Sequence, residues 1–418
     1  MTSEAATKPI SLWKHRDFML LWSGQTVSDL GSQISSLALP LLAVLALKAT
    51  TFEVSLLSFL SSLAFLLISL PAGVIVDRVA KRRMMLWCDV ARMVLMGSIP
   101  VAAVFWHVTL WQLYVVAGTV GVLTVFFDVS YQSYLPFLVD KSQLVDGNGK
   151  LGTTSELAQL SGPSIGGALV GAIGAARTVS ADAASYAVSF LSLALIRHPE
   201  PRPELKEGAA RVTFRAAMHE GLSFVVRHPI LRKIVACTGT ANFFNTAMSS
   251  VGVVFLVRTL HATATEVGLV FTLSSVGGLI GGLTAGWFGR RIGTARVIWV
   301  SILVPGPLYL LMPLASPGWG LALYGLGSSA ISFSALVYNT AQLSYRQSIC
   351  PTQLLGRMNA SVRWIVWGTM PLGALLGGLL GTTVGLRGTI WVGVLGSWIA
   401  GLWVLFSPLR KLRDVPET

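Results

Sequence analysis

Long runs of apolar residues, separated by short polar segments, dominate the pattern along the 418-residue chain. A bilayer core of roughly 30 Å needs about 20 mostly apolar residues for one helix to cross it, and twelve runs approach that length. The first six predicted spans are 18–45, 54–76, 84–105, 110–130, 151–173 and 179–196. The second six are 234–257, 267–288, 297–313, 319–337, 354–383 and 389–406. The pattern predicts an all-α membrane protein with twelve transmembrane helices, of which the first is retained rather than cleaved as a signal peptide.

One long polar stretch falls between the sixth and seventh spans. It divides the chain into an N-terminal six-helix bundle (1–196), a cytoplasmic linker (197–233) and a C-terminal six-helix bundle (234–418). Three prolines disfavour a helix at the start of the linker, whereas the apolar spacing over 212–226 predicts a short amphipathic helix on the inner membrane surface. Either a plain connector or a regulatory segment fits this pattern.

The distribution of positive charge predicts the orientation. Cytoplasmic loops carry an excess of Lys and Arg, and all but four of the 31 Lys and Arg residues fall on the side that holds both termini. The four exceptions are Lys48, Arg177, Arg258 and Arg387. We therefore expect both termini to lie in the cytoplasm of a bacterial cell, with the chain in the cytoplasmic membrane.

Composition agrees with a protein in contact with lipid. The chain is 53% hydrophobic and only 12% charged, too little polar surface for a water-soluble protein of this length. The net charge of +13 follows the topology, so we expect the lipid bilayer and no nucleic acid as a partner. Cys88, Cys237 and Cys350 lie far apart without metal-ligand spacing, so no metal or disulfide is expected.

Two short segments recur half the chain apart. The end of span two, GVIVDRVAKR from Gly73, corresponds to GLTAGWFGRR from Gly282 at the end of span eight. Pro163 of span five and Pro371 of span eleven have nearly the same separation. Transporters are often built from repeated halves, so the repeat predicts two pseudo-symmetric six-helix bundles.

The first of these segments resembles the loop two-three signature of the major facilitator superfamily. The matching residues are Gly73, Asp77, Arg78, Lys81 and Arg82. The resemblance implies that Asp77 takes part in a latch that holds the two halves together in the outward-facing state, and a solvated charge is the alternative. Ala80 stands where that family usually has a second glycine, so the turn there differs from the family pattern.

Span five resembles the motif associated with drug:proton antiporters. The matching positions are Gly149, Ala158, Gly162, Pro163, Gly166 and Gly167, with Ala158 in place of a glycine. Glycines at this spacing allow helices to approach closely, and the proline removes a backbone donor. The resemblance implies export, whereas ordinary helix packing would need the same residues. The stretches LWSGQTVSDLGSQISSLALP and FFDVSYQSYLP are similar to the branch that holds macrolide and siderophore exporters.

Ionisable residues within the spans are the candidate proton carriers, because a charge near the bilayer centre costs roughly 2.5 to 3.5 kcal/mol and must face a cavity or a partner. Asp29 lies about 16 Å into span one on a polar helix face, which favours reversible proton exchange. A hydrogen-bonded structural carboxyl is the alternative. Glu156, about 8 to 12 Å into span five, is predicted either as a second proton site or as a partner of Arg92. Arg92 and Asp89 are one helical turn apart, so they could instead neutralise each other.

Several further polar residues are candidates for a cavity or a gate. They are Gln25, Gln33, Arg92, Asp128, Asn242, Asn245, Tyr338 and Arg363, with Phe126, Phe127, Tyr131, Trp364 and Trp367 as aromatic lining candidates. Asp128 is expected near the cytoplasmic end of span four, as a gate contact.

These features predict a secondary transporter that exports a small lipophilic or weakly cationic compound in exchange for protons. It is expected to use the proton-motive force, to need no cofactor, and to function as a monomer on a small-molecule substrate. A proton-coupled importer of the same fold and a membrane sensor that transports nothing are the alternatives. No motif of a membrane enzyme is found.

Overall fold

The computed structural model describes residues 12–76, 78–140, 143–197, 200, 214–350 and 354–414. Within these ranges every regular element is helical, which confirms the predicted all-α class. The long helices run back and forth between two faces. We call the face that holds Leu12 and Asp414 the terminal face, and the other the distal face.

Six helices form the first bundle. They are α1 (Arg16–Leu41), α2 (Thr51–Val76), α3 (Lys81–Phe105), α4 (Leu110–Leu138), α5 (Leu144–Ile173) and α6 (Ala175–Leu195). A π-helical turn, Leu42–Ala46, extends α1 towards the distal face. The linker contains α7 (Phe214–Arg227), where an amphipathic helix was expected. Val225 of α7 is buried with residues of the second bundle, so this helix packs on protein as well as facing outward.

The second bundle repeats the arrangement of the first. Its helices are α8 (Leu231–Arg258), α9 (Ala264–Ile292), α10 (Thr294–Leu303), α11 (Gly306–Tyr309), α12 (Leu311–Leu314), α13 (Leu321–Ile349), α14 (Leu355–Thr383), α15 (Leu386–Ile399) and α16 (Leu402–Leu405). The short helices α10, α11 and α12 together form the ninth span, which contains Pro305, Pro307 and Pro313. Proline lacks the backbone donor that a continuous helix needs, which is why this span is broken.

The packing follows the repeat. In the first bundle α1 packs on α5 and α6, and in the second α8 packs on α14 and α15. The bundles meet through two corresponding pairs, α2 with α14 and α5 with α9. Gly174, between α5 and α6, and Gly385, between α14 and α15, have almost the same positive φ, 85° and 86°. Both turns need glycine, since this region is strained for other residues.

Eleven of the described helical segments are long and apolar enough to cross a membrane. The remaining predicted span, α5, has 30 residues but carries Asp146, Lys150 and Glu156 in its first half. It lies against α1 and α9, so much of its surface faces protein rather than lipid. Polar residues are tolerated on a surface that faces protein. They lower the mean apolar content of α5, although the helix is continuous.

Candidate functional site

The two bundles are in contact from the distal face to about the middle of the molecule. Between α5 and α9, the hydroxyls of Ser164 and Thr272 are hydrogen-bonded at 2.6 Å. Beyond them, the guanidinium of Arg258 donates to the carbonyl of Ala49 across the distal face. Towards the terminal face, the described parts of the two bundles enclose open clefts. The described hydrogen bonds between the bundles thus lie on the distal side, and two clefts lie towards the terminal side.

One cleft, the Asp128 cavity, lies between α2, α4 and α14 and has a volume of about 150 Å³. Its lining residues are Phe65, Ser69, Val125, Asp128, Val129, Gln132, Arg363, Trp364 and Trp367. The guanidinium of Arg363 lies 4.4 Å from the ring centre of Trp367, which in turn meets Phe65 edge to face at 5.4 Å. Asp128 and Arg363 thus bring opposite charges from the two bundles into one aromatic-walled cavity.

The location of Asp128 corrects the expectation that it lies at the end of span four. Helix α4 continues to Leu138, more than two turns beyond Asp128, so this carboxyl lies inside the bundle and lines the cavity. The apolar run ends at Ser130, but the helix itself continues. A helix needs apolar side chains only on the surfaces that face lipid, so its end need not coincide with the end of an apolar run.

A second cleft, of about 290 Å³, lies between α5, α9 and α13 and holds Glu156. Its walls include Leu157, Leu279 and Leu283, which are all exposed. The expectation that Glu156 pairs with Arg92 is wrong, since Glu156 is exposed in this cleft. Arg92 is buried and bonds elsewhere.

Asp29 lies at the middle of α1 and is half-buried. Gln25 donates to its carboxylate at 2.7 Å, and Ser155 of α5 is a second hydrogen-bond partner. Gln33, another predicted polar residue of α1, instead packs against Gly162 of α5. Asp29 therefore faces α5 with neutral hydrogen-bond donors, and no described cation forms an ion pair with it.

Arg92 and Asp89 form a buried ion pair on α3, at 2.5 Å, which confirms their predicted mutual neutralisation. Ser189 of α6 donates to the second oxygen of Asp89 at 2.7 Å. The guanidinium of Arg92 lies between the rings of Phe127 and Tyr186, 4.2 and 4.4 Å from their centres. The charge of Arg92 is buried, so little water screens it from other charges in the bundle. It therefore also attracts three more distant carboxylates, which are Asp29, Asp128 and Asp182.

The second bundle contains a separate polar cavity of about 70 Å³. Asn242, Asn245, Tyr338 and Asn339 line it, so three of the predicted gate residues are brought together here, away from Arg363. The Tyr338 hydroxyl donates to the Ile234 carbonyl at 3.1 Å and is also bonded to Thr238 at 2.8 Å. This cavity offers neutral hydrogen-bonding groups rather than charges.

The described residues of the loop two-three signature bind within the first bundle and the start of the linker. The backbone amides of Lys81 and Arg82 donate to the Glu200 carboxylate at 2.6 and 3.1 Å, which caps α3. The Arg82 side chain donates to the carbonyls of Leu193 and Ala194, at 2.8 and 2.7 Å. Gly73 has open space around it and Arg78 is exposed. Asp77 lies outside the described residues.

Ala80 shows why the departure from the family pattern is tolerated. It has φ −63° and ψ 117°, an extended conformation, and it precedes the first residue of α3. Any residue adopts this conformation readily, so the turn does not need glycine.

The span-five motif lies on the two helix contacts of α5. A side chain added at Gly162 would place its Cβ 2.4 Å from Gln33, and one at Gly166 would meet the backbone of Ile34 at 3.2 Å. Gly167 faces Gly268 of α9. Pro163 lies inside the continuous helix, with its carbonyl against Gly268, while Ala158 is buried and Gly149 has open space around it. The motif thus joins α5 to α1 and to the other bundle.

Asp182 of α6 is a buried carboxyl that the sequence analysis missed. It is only 2% exposed, next to the Arg92 pair. A lone Asp between the small residues of span six, SADAAS, was the available signal. Within the described ranges, no group of three or more His, Cys, Asp or Glu could hold a metal ion.

Comparison with known proteins gives a consistent pattern. The profile of a family described as transmembrane secretion effectors matches residues 7–417. The chain is 26% identical to the multidrug efflux pump Tap of Mycolicibacterium fortuitum, with 96% of this chain and 98% of that protein covered. It is 22% identical to the macrolide efflux protein A of Streptococcus pyogenes, over 96% of this chain and 98% of the other.

Among solved structures, the fold is similar to a bacterial homologue of the iron transporter ferroportin in its inward-facing state. The TM-score is 0.72 at 15% identity, with 93% of this chain and 98% of that chain covered. At this identity the likeness concerns the fold alone.

Proposed function

Because the chain belongs to the transmembrane secretion effector family of the major facilitator superfamily, we propose that it exports a small lipophilic or weakly cationic compound in exchange for protons. It is a multi-pass membrane protein with relatives that are efflux pumps. In this proposal the proton-motive force supplies the energy, no cofactor takes part and no covalent chemistry is catalysed. The working unit is a monomer in the lipid bilayer.

The observation that carries the proposal is the position of Asp29. Asp29 lies at the middle of α1, and its hydrogen-bond partners among the described residues are Gln25 and Ser155. It can exist with or without a proton, since no described cation in direct contact fixes its charge. It lies on α1, a helix that packs on both α5 and α6. Protonation there changes the charge at the centre of the first bundle.

The composition of the two clefts supports this substrate class. The aromatic rings of Phe65, Trp364 and Trp367 give the Asp128 cavity an apolar wall, and carboxyls stand in both clefts, Asp128 in one and Glu156 in the other. Rings and carboxylates together favour lipophilic compounds with a positive charge. Arg363 lies opposite Asp128 and discourages strongly cationic compounds.

We propose alternating access about the contact between the bundles. The hydrogen bonds on the distal side and the clefts towards the terminal side correspond to one state of such a cycle, and loss of the α5–α9 and α2–α14 contacts would lead to the other. The excess of Lys and Arg at the terminal face supports a cytoplasmic location for that face in the bacterial cytoplasmic membrane. The chain then releases substrate on the distal side.

A compound-sensitivity panel tests this function. A bacterial host lacking its own efflux pumps would express the wild type, the Asp29→Asn variant or an empty vector, and would be grown with ethidium, erythromycin and other lipophilic compounds. Export predicts that the wild type raises the tolerated concentration of at least one compound and that Asp29→Asn does not. Increased accumulation of a compound would instead indicate an importer, and identical growth and uptake for all three would indicate a protein that transports nothing.

A further inference from the structure

The first bundle contains a second carboxyl that the proposed function has not used. Asp182 lies two turns into α6 from the distal face, about 10 Å along the helix, whereas Asp29 lies at the middle of α1. Its side chain is buried. Ser32, one turn beyond Asp29 towards the distal end of α1, reaches Asp182, so Asp182 lies about one turn closer to the distal face than Asp29.

Hydroxyl groups surround Asp182. Ser185, one turn along α6, donates to its carboxylate at 3.2 Å, and Ser32 of α1 donates to the same oxygen at 3.5 Å. The Ser32 hydroxyl is also bonded to the hydroxyl of Tyr186 at 3.2 Å. These groups can accept or donate protons in hydrogen bonds and can therefore stabilise either form of the carboxyl.

Among the described residues, no Lys or Arg lies within ion-pair distance of Asp182. The nearest cation by its electrostatic effect, Arg92, is already paired with Asp89 and stacked between two rings. Burial of a carboxylate without a paired cation is strongly unfavourable, whereas burial of the neutral acid is much less so. Asp182 is thus placed to take up a proton.

The other faces around Asp182 carry few charges. On α1 the nearest ionisable group along the helix is Asp29, one turn from Ser32, and on α3 the groups are Asp89 and Arg92. On α6 itself, Tyr186 is buried and Arg177 is exposed at the distal face. The part of α5 at the same depth, residues 160–173, has no ionisable residue.

Gly31 makes this arrangement sterically feasible. A Cβ at Gly31 would lie 2.9 Å from the Asp182 carboxylate and 2.2 Å from the Ser185 hydroxyl. Only a glycine lets α1 approach α6 closely enough for Ser32 to reach Asp182. Ser32 is one turn from Asp29 on the same helix, so its contact with Asp182 places the two carboxyls about one helical turn apart along α1.

We propose that Asp182 is a second proton-exchanging carboxyl, in addition to Asp29, so that two protons are exchanged for each compound exported. The proposal rests on the proposed function. The Asp182 carboxylate gains a proton that arrives from the distal side and becomes a neutral acid. It returns that proton to water on the terminal side later in the cycle, and no other bond changes.

The first test needs no substrate. Infrared spectra of the purified protein, recorded during a pH titration, report the carbonyl stretch of protonated carboxyl groups. Above about pH 6, where exposed carboxyls are ionised, the Asp182→Asn variant should lose part of the titrating band. Asp146→Asn, which changes an exposed carboxyl on the terminal side, is the matched control and should retain the band in this range. An unchanged band in Asp182→Asn would overturn the proposal. A normal melting temperature of the variant shows that it is folded, and Asp182→Glu, which should regain the band, is the second variant.

The second test counts protons. Inside-out vesicles with an acidic lumen, one pH unit below the bath and at zero membrane potential, would accumulate ethidium. Each exchanged proton permits about a tenfold concentration ratio, so two permit about a hundredfold ratio. Asp182→Asn should reach about tenfold or less and still exchange ethidium between the two sides in the absence of a pH gradient.

The results separate the two proposals. A wild-type ratio in Asp182→Asn, or loss of ethidium exchange in a folded variant, would assign Asp182 a structural role or none and overturn the inference. If the wild type itself accumulates no ethidium, the proposed export of this probe fails, and the infrared titration alone then decides the role of Asp182.

Discussion

The hydroxyls of Ser164 and Thr272, 2.6 Å apart, join α5 of the first bundle to α9 of the second. The bond lies on the distal side of the pair Gln159 and Ser275, where the Ser275 hydroxyl donates to a backbone carbonyl at 3.0 Å. These polar contacts accompany the close approach of Gly167 to Gly268. Closure of the distal side thus depends on small residues that hydrogen-bond across the interface.

Removal of this bond should open the distal side. A hydrogen bond contributes about 0.5 to 1.5 kcal/mol, so replacing both Ser164 and Thr272 by Ala should shift the equilibrium towards the distal-open state by about two- to tenfold. Spin labels at positions 177 and 316, exposed on the distal face of different bundles, report the change as a longer distance. Ser161→Ala is the matched control, because the described hydrogen bond of Ser161 goes to the Leu157 carbonyl of its own helix. Equal distance distributions in the double variant and the control would contradict the prediction.

The orientation of the chain can be tested by cysteine labelling. Lys and Arg are concentrated at the terminal face, and the four exceptions all lie at the distal face. We therefore expect the distal face to lie outside the cell. In intact cells, a membrane-impermeant thiol reagent should label a cysteine at position 48 or 177. It should not label one at position 206, which lies in the linker outside the described residues. Labelling at 206 would reverse the orientation.

Glu200 should stabilise the first bundle by capping α3. Its carboxylate accepts from two free backbone amides at the helix start, an interaction that contributes about 1 kcal/mol. Glu200→Ala should therefore lower the melting temperature of the purified protein. Arg83→Ala changes an exposed neighbour at the same helix start and should leave it unaltered. Equal melting temperatures for the Glu200→Ala and Arg83→Ala variants would refute the capping role.

Asp77 is predicted to latch the bundles when the distal side is open. Asp77→Asn should insert normally, since the position is at the membrane edge, but it should favour the terminal-open state and slow turnover. Ethidium export in vesicles gives the rate, and the same spin labels at 177 and 316 give the state. Asp140→Asn, an exposed carboxyl at the same face, is the control. Wild-type turnover in Asp77→Asn would exclude the latch.

Apolar runs were enough to predict the spans, because contact with lipid demands apolar side chains over most of a helix. They fail where a helix faces protein or a cavity. Helix α4 extends past Ser130 to Leu138, and α5 begins at Leu144, within a polar segment. The repeat around Gly73 and Gly282 predicted two bundles of similar architecture. Duplicated halves bury corresponding helix faces, so the same sequence features recur in both.

The candidate site was predictable only in part. The depth of Asp29 follows from counting residues along one helix, and the Asp89–Arg92 pair follows from their spacing of one turn. The surroundings of Asp182 come from α1, about 150 positions earlier in the chain, and the cleft around Glu156 comes from α9 and α13. Contacts between distant segments leave no periodic signal in one sequence.

Proton-coupled export is tested most directly by ethidium transport in inside-out vesicles, with the wild type and Asp29→Asn compared at equal protein content. An acidic lumen should drive ethidium into the wild-type vesicles against its gradient. Asp29→Asn keeps the size of the side chain but cannot exchange a proton, so it should accumulate none. Accumulation by Asp29→Asn at the wild-type rate, with the same pH dependence, would contradict the role of Asp29 and leave Asp182 and Glu156 as the candidates. A wild type that ignores the pH gradient would contradict proton-coupled export itself.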